Sequence, residues 1–175
     1  MKKITLLIVL CFSLLLTAFS QQGKYGYIDS EYILGNLPEY KEAQKELDRL
    51  AANWQKDIEK RFATIDSMYK KYQVEAITLP DNLKQKREET IIKAEQDAKD
   101  LQKKRFGKDG DLFKKREELV KPIQDRVFNT IEAIAKDKNY AFVFDVAGST
   151  TIIYADPKFD LNDEVMKRLG ITVKD

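Results

Sequence analysis

The chain has 175 residues, of which 34% are charged, and its formal net charge is +2 at pH 7. It contains no histidine and only one cysteine, Cys11. These counts exclude an internal disulfide and histidine-based zinc sites, so any catalysis would rest on carboxylates, lysine or tyrosine. The balance of 31 basic and 29 acidic residues disfavours nucleic acid as a partner, because such binding needs a basic surplus on one face.

Residues 1–20 are typical of a secretory signal peptide. Lys2 and Lys3 precede an apolar run that is too short to span a membrane comfortably, and Ser20 places the expected cleavage before Gln21. An uncleaved membrane anchor is the alternative. Cleavage removes Cys11 and two lysines, which leaves 29 basic and 29 acidic residues, so the mature chain is predicted to be neutral.

Residues 21–37 are predicted to form a short strand followed by a short helix. The segment 24–29 is rich in strand-forming residues that alternate in size, and Ser30 is placed to cap the helix after it. Gly35 and Asn36 end that helix, and Pro38 suits the first turn of the next one, where the missing N–H donor costs nothing.

Residues 38–137 show the pattern of two long amphipathic helices that turn back on each other at a tip near 78–82. On both sides of this tip the apolar residues recur in steps of three and four, with charged residues between them. The stripes are too narrow for a globular face, so each stripe needs a partner. The outgoing stripe consists of Tyr40, Ala43, Leu47, Leu50, Trp54, Ile58, Phe62, Ile65, Tyr69, Tyr72 and Ala76.

The register of the two stripes supports an antiparallel hairpin. When the chain folds back near residue 80, apolar residues meet in pairs whose numbers sum to 159 or 160. Such constancy is expected of an antiparallel coiled coil. The pairs include Ile65 with Ala94, Ile58 with Leu101, Leu47 with Leu112, Tyr40 with Leu119, and Trp54 with Phe106. Because the sum holds on both sides of Gly107–Gly110, these glycines predict a kink, with a short exposed loop as the alternative.

Residues 138–175 change from helical to strand periodicity. Strands are predicted at 140–145 and 150–155 around a turn at 147–149, followed by a final helix that Asn162 caps. Together with residues 21–37 they form the predicted body, and residues 38–137 form the predicted arm. Three short strands leave open sheet edges, which indicates an oligomer. The fold class is α+β, with a coiled-coil arm protruding from a small β body.

The order of these elements resembles the Skp/OmpH family of periplasmic chaperones. The resemblance covers the whole mature chain and is most specific at 140–145, 152–155 and 160–169. It implies a periplasmic homotrimer whose strands complete a small β-barrel and whose arms enclose unfolded outer-membrane proteins. The implied activity is that of a holdase that prevents aggregation without ATP, catalysis or a cofactor. The best-known members are strongly basic, whereas this mature chain is neutral.

Two groups of residues are candidates for these roles. The predicted tip mixes apolar side chains with charged ones, as a promiscuous binding surface requires. Its candidates for client binding are Met68, Tyr69, Tyr72, Val74, Ile77 and Leu79. Tyr69 and Tyr72 also lie on the stripe, so packing within the hairpin is an alternative role for them. The candidates for the oligomeric body are Tyr27, Ile28, Phe142, Phe144, Ile152 and Tyr154.

Other interpretations of the sequence stay open. A structural or adaptor coiled coil that tethers proteins of the cell envelope is the alternative function. The basic run 103–105 fits either a weak contact with a membrane surface or lipopolysaccharide, or a solvated helix face. Trp54 is expected to be a packing anchor of the hairpin.

Overall fold

The computed structural model describes residues 23–148 and 152–171. The predicted signal peptide therefore lies outside the described residues. In chain order the elements are β1 (Lys24–Ile28), α1 (Ser30–Asn36), α2 (Pro38–Glu75), α3 (Asp81–Phe106), α4 (Asp111–Asp137), β2 (Tyr140–Asp145), a 3₁₀ turn (Pro157–Phe159) and α5 (Asn162–Arg168). Within these residues no helix is long and apolar enough to cross a membrane.

The described chain forms two compact units. The hairpin unit comprises residues 37–125, and the sheet unit comprises residues 23–36 and 126–171 apart from the undescribed 149–151. Helix α4 is the one element shared by both, because it runs from Asp111 to Asp137. The predicted combination of a long helical hairpin with a small sheet is confirmed.

The hairpin unit consists of α2 and the helices that return along it. Pro38 stands at the start of α2, and Pro80 holds the extended backbone that precedes α3. The chain reverses between them at residues 76–80, two residues before the predicted tip at 78–82.

Two clusters of buried side chains hold the hairpin together. We call the one nearer the reversal the tip cluster and the other the open-end cluster. The tip cluster comprises Ile65, Ile91 and Ala98, with Met68, Tyr72 and Ala94 packed against them. The open-end cluster comprises Ala43, Leu47 and Val120, with Tyr40, Leu112, Leu119 and Ile123 packed against them. Predicted partners thus share a cluster on both sides of the glycines, in agreement with the register.

The glycine segment separates two helices. Phe106 ends α3 and Asp111 begins α4, so Gly107–Gly110 form a four-residue connection. The predicted kink within one helix is therefore wrong, and the alternative, a short loop with Lys108 and Asp109 exposed, is what the structure shows. A Cβ atom on Gly107 would lie 2.4 Å from the carbonyl oxygen of Lys103, closer than real Cβ contacts allow. Only glycine fits there without a shift of the backbone.

The sheet contains two parallel strands, β1 and β2, among the described residues. The sequence predicted a strand at 150–155. Its described part, residues 152–155, has no regular secondary structure, so the prediction is wrong for these four residues. On the side away from β2, β1 forms hydrogen bonds with the residues around Asp160 and not with the predicted strand. The amide of Leu161 donates a 3.0 Å hydrogen bond to the Tyr27 carbonyl oxygen. The Tyr27 carbonyl oxygen is thus taken by Leu161 and is not available to residues 152–155.

The two faces of the sheet differ sharply. The register pairs Tyr25 with Phe142 and Tyr27 with Phe144, so these four aromatic residues share one face. The opposite face of β1 carries Gly26 and Ile28, and other residues of the sheet unit bury both of them. Gly26 is so close to Leu161 that an added Cβ would lie 2.6 Å from its Cδ1 atom.

The core of the sheet unit draws on the covered face and on three helices. Its buried apolar residues are Ile28, Ile33, Leu34, Val127, Ile134, Leu161, Val165 and Met166. Asn162 is buried among them, and its Oδ1 atom accepts a 2.8 Å hydrogen bond from the Asp29 amide. The predicted capping role of Asn162 is therefore wrong, because its side chain ties α5 to the start of α1. The N-terminal cap of α1 is also not Ser30, as predicted, but Asp29, whose Oδ1 atom accepts a 2.9 Å hydrogen bond from the Tyr32 amide.

We expect Asn162→Ala to lower the free energy of unfolding by about 1–3 kcal/mol, because the Asp29 amide would lose its acceptor in a partly buried place. Chemical denaturation followed by circular dichroism measures this change. The control is Asp163→Ala, the exposed neighbour in the same helix. Equal stability of the two variants would contradict a role for the Asn162 tie.

The register predicts a specific crosslink. Trp54 meets Phe106, and Ile65 shares a cluster with Ala94, so Ile58 is placed opposite Leu101. Cysteines at Ile58 and Leu101, in a Cys11→Ser background, should form an intrachain disulfide on oxidation. The control pair, Ile58 with Ala94, is shifted by one heptad and should stay reduced. Preferential oxidation of the control pair would show that the register is wrong.

Candidate functional site

The end of the hairpin exposes apolar side chains that nothing in the unit covers. Val74 and Ile77 are 76% and 88% exposed, and Leu79 and Ala76 are half-buried. They stand at the end of α2 and in the reversal, where the chain leaves the stripe that packs against α3. This position explains their exposure. Of the six residues predicted at the tip, Val74 and Ile77 are the most accessible.

The other predicted tip residues take part in the hairpin's own packing. Met68, which the outgoing stripe does not include, packs against the tip cluster and so belongs to the seam. The Tyr72 hydroxyl hydrogen-bonds to the Glu88 carboxylate on the returning helix, and this bond raises the pKa of Tyr72. Burial and a hydrogen bond to Glu95 raise the pKa of Tyr69. Both tyrosines therefore join α2 to α3 through their hydroxyl groups.

The basic residues around the exposed tip stand next to carboxylates. Lys70 lies 2.6 Å from Asp66, and Lys84 lies 3.4 Å from Asp81. Glu75 serves two cations, Lys71 at 3.6 Å and Arg87 at 3.7 Å. These exposed pairs add little stability, but they keep the local field small. The tip therefore offers apolar contact within a solvated, largely compensated charge pattern.

Trp54 anchors the middle of the hairpin, as the sequence predicted. Its ring meets that of Phe106 edge-on, with centroids 6.4 Å apart, and the Arg105 guanidinium lies 4.6 Å from the Trp54 ring centroid. An open groove of about 560 Å³ runs from there towards Met68, between α2 and α3. Apolar and charged side chains line it in equal measure.

The aromatic face of the sheet is a second exposed apolar surface. Tyr25 stacks on Phe142 at 6.1 Å, and Phe142 stacks on Phe144 at 6.2 Å. Phe142 is 60% exposed. An open groove of about 530 Å³ adjoins this face. It is lined by Tyr25, Gly26, Tyr27, Phe144, Ile152, Tyr154, Ala155, Asp156 and Phe159.

Five of the six residues predicted for the oligomeric body lie at this face or in the adjoining groove. Ile28 is the exception, because it points into the core of the unit. Tyr25 and Phe159 also line the groove but were not predicted from the sequence. Tyr25 was open to prediction, since the alternation of a strand puts residues 25 and 27 on one face. The position of Phe159 depends on the 3₁₀ turn at Pro157–Phe159, which no pattern in the sequence predicted.

Acidic residues near the strands have structural partners. One Asp145 carboxylate oxygen accepts hydrogen bonds from the amides of Ser30 and Ala147, at 3.1 and 3.0 Å. Burial, together with the nearby Asp160 carboxylate, raises the pKa of Tyr27. Among the described residues no group of three or more His, Cys, Asp or Glu could hold a metal ion.

A family model described as "Outer membrane protein (OmpH-like)" matches residues 24–169, which include both strands and the entire hairpin. The chain belongs to the OmpH-like family. The resemblance seen in the sequence is thereby confirmed. An uncharacterized protein of Aquifex aeolicus (strain VF5) is 27% identical over 155 residues, covering 89% of this chain and 91% of that protein.

The fold of this OmpH-like chain has a counterpart among crystal structures. That of an OmpH-like protein of Caulobacter crescentus CB15, described as a candidate outer membrane chaperone, aligns with a TM-score of 0.68. The alignment covers 87% of this chain and 89% of the other at 11% sequence identity. At that identity the similarity shows a shared fold.

Proposed function

We propose that this OmpH-like protein is a periplasmic holdase chaperone, which binds unfolded outer-membrane proteins as a homotrimer and prevents their aggregation without ATP. The observation that carries the proposal is the exposure of Val74 and Ile77 among compensated charges at the end of a long hairpin. Membership of the OmpH-like family and the chaperone description of the Caulobacter protein support it. The predicted signal peptide supports the location.

The tip has the physical properties that a holdase requires. A protein that holds an unfolded chain needs apolar contacts that are accessible but dispersed, because a large continuous patch would aggregate. Each Å² of apolar surface removed from water contributes about 25 cal/mol, so a few small contacts repeated on three copies would give a useful but reversible affinity. The surrounding ion pairs keep the complex solvated.

The aromatic face supports the trimer. An isolated pair of strands is marginally stable, and here one face of the pair exposes the rings of Tyr25, Phe142 and Phe144. Assembly with two further copies would bury these rings and supply pairing edges for the strand-prone segment 152–155. In the proposed trimer this segment becomes a strand only when a neighbouring copy is present. The β-barrel expected from the family resemblance would be assembled in this way.

Phe142→Ala should dissociate the proposed trimer. Loss of a buried aromatic side chain costs about 3–5 kcal/mol, whereas the same change at a position exposed in the final assembly costs little. Sedimentation equilibrium at micromolar concentration should give a trimer mass for the wild type and a smaller mass for the variant. Phe113→Ala is the matched control, because Phe113 is partly exposed in the hairpin unit. A monomeric wild type would refute the trimer.

The holdase proposal is tested by diluting a urea-denatured outer-membrane protein into buffer and following light scattering. Near-stoichiometric amounts of this protein should suppress aggregation without nucleotide. Val74→Ser combined with Ile77→Ser should weaken suppression, and Lys70→Gln combined with Lys71→Gln should weaken it less. A structural or adaptor coiled coil would leave aggregation unchanged, and that result would refute the proposal.

Salt should have a small effect on client affinity, because the tip cations are paired and long-range fields are screened within about 8 Å at physiological salt. We expect the dissociation constant for a denatured outer-membrane protein to change by less than about tenfold between about 50 and about 500 mM salt. A fluorescence titration at each concentration measures this. A steep loss of affinity, or greater sensitivity to Lys70 and Lys71 than to Val74 and Ile77, would mean that charge governs capture.

A further inference from the structure

The open groove between α2 and α3 lies on one side of the seam along which the two helices pack. It runs along α2 from Trp54 to Met68, and residues 94–105 of α3 form its other wall. At about 1.5 Å per residue in a helix, this stretch of α2 is about 21 Å long. On the other side of the seam, the Tyr69 hydroxyl donates a hydrogen bond to the Glu95 carboxylate. One side of the seam is thus bridged and the other is open.

Small side chains leave room for the groove. Thr64 of α2 and Ala94 of α3 both line it, and the buried side chain of Ile65 lies beneath them. The Thr64 hydroxyl donates a 2.9 Å hydrogen bond to the Lys60 carbonyl oxygen, so its polar group needs no partner across the groove. Leu101 extends the apolar lining towards Trp54. The groove therefore has an apolar floor that an incoming side chain can reach.

The charged side chains beside this floor have no ion-pair partner among the described residues. Those of α2 are Asp57, Lys60 and Arg61, and that of α3 is Asp97. Nearer the tip, by contrast, Lys70 lies 2.6 Å from Asp66. The four charges along the groove are therefore available to hydrogen-bond with a partner. Because both signs are present, they do not favour a partner that carries one sign only.

An apolar floor between charges of both signs suits an extended peptide. A strand advances about 3.3 Å per residue, so about six residues would occupy about 21 Å. Successive side chains of a strand point to opposite sides, so alternating apolar residues would all face the floor. The peptide backbone offers both donors and acceptors to the charged side chains. An acyl chain offers neither, and a polyanion would be repelled by Asp57 and Asp97.

We propose that this groove binds an extended client segment of about six residues in which apolar and polar residues alternate. Strands of outer-membrane β-barrels have this pattern, because one of their faces meets lipid and the other faces the barrel interior. The inference rests on the proposed function and deepens it by naming the kind of segment that the hairpin recognises. The groove selects a pattern of residues, whereas the exposed tip offers only separate apolar contacts.

The fluorescence of Trp54 tests the proposal, because Trp54 lines the groove and is the only tryptophan of the chain. The probe is a tryptophan-free peptide of about eight residues that alternates leucine or valine with threonine, lysine or aspartate. Its binding should shift the Trp54 emission to shorter wavelength. A peptide of the same composition with its apolar residues in one block should bind at least about fivefold more weakly. Vesicles of phosphatidylglycerol should leave the emission unchanged.

Thr64→Phe should weaken binding of the alternating peptide at least about tenfold, because the ring would occupy the space that a peptide side chain needs. The matched control is Ala63→Phe, since Ala63 is the neighbouring exposed residue and does not line the groove. It should change the affinity by less than about twofold. Val74→Ser combined with Ile77→Ser should also leave the affinity for the peptide unchanged, because these residues belong to the tip.

Three results would each overturn the groove as a peptide site. They are equal binding of the two peptides, equal effects of Thr64→Phe and Ala63→Phe, and a Trp54 response to the vesicles but not to the peptide. The comparison of peptides uses the wild type, so it does not depend on the folding of a variant. If the protein suppresses client aggregation but the alternating peptide leaves Trp54 unchanged, the holdase proposal stands and the groove inference fails. Absence of suppression would refute the holdase proposal whatever the peptides do.

Discussion

The hairpin depends on a narrow seam in which few side chains are fully buried. A long helix with one apolar stripe cannot bury that stripe alone, and here the chain supplies the partner by reversing at residues 76–80. Small residues such as Ala43 and Ala98 in the two clusters let the helices approach closely, while Ile65 and Leu47 fill the remaining space. Most side chains of the hairpin outside the seam are exposed to solvent, so charged residues can occupy the outer faces of the helices.

Much of this seam could be predicted because helical periodicity depends on near neighbours in the sequence. The register followed from the same pattern, since partners at a constant sum of residue numbers are a property of any antiparallel reversal. Val120 shows the limit of that argument. It is buried, while the predicted Leu119 is only partly so, although both belong to the open-end cluster, because the spacing of apolar residues does not decide which of two neighbours faces α2 more directly.

The sheet unit was harder to predict, because its structure depends on contacts between distant parts of the chain. The segment 152–155 has the composition of a strand, yet within this chain β1 is occupied by β2 and by the bond to Leu161. Asn162 has the sequence position of a helix cap, yet its side chain serves a backbone amide 133 residues away. Local patterns identify the elements but do not reveal which tertiary partner takes each polar group.

The aromatic face of the sheet and the tip of the hairpin differ in the way that their proposed roles require. On the sheet, the rings of Tyr25, Phe142 and Phe144 stack on one another, and each aromatic side chain has few rotatable bonds, so little side-chain entropy is lost when a partner covers them. Such a surface suits a permanent neighbour. At the tip, Val74 and Ile77 are separate, highly exposed and flanked by ion pairs. A partner gains little binding energy from either contact alone, so binding there stays reversible. It also requires no particular sequence in the partner, as transient capture of unfolded chains demands.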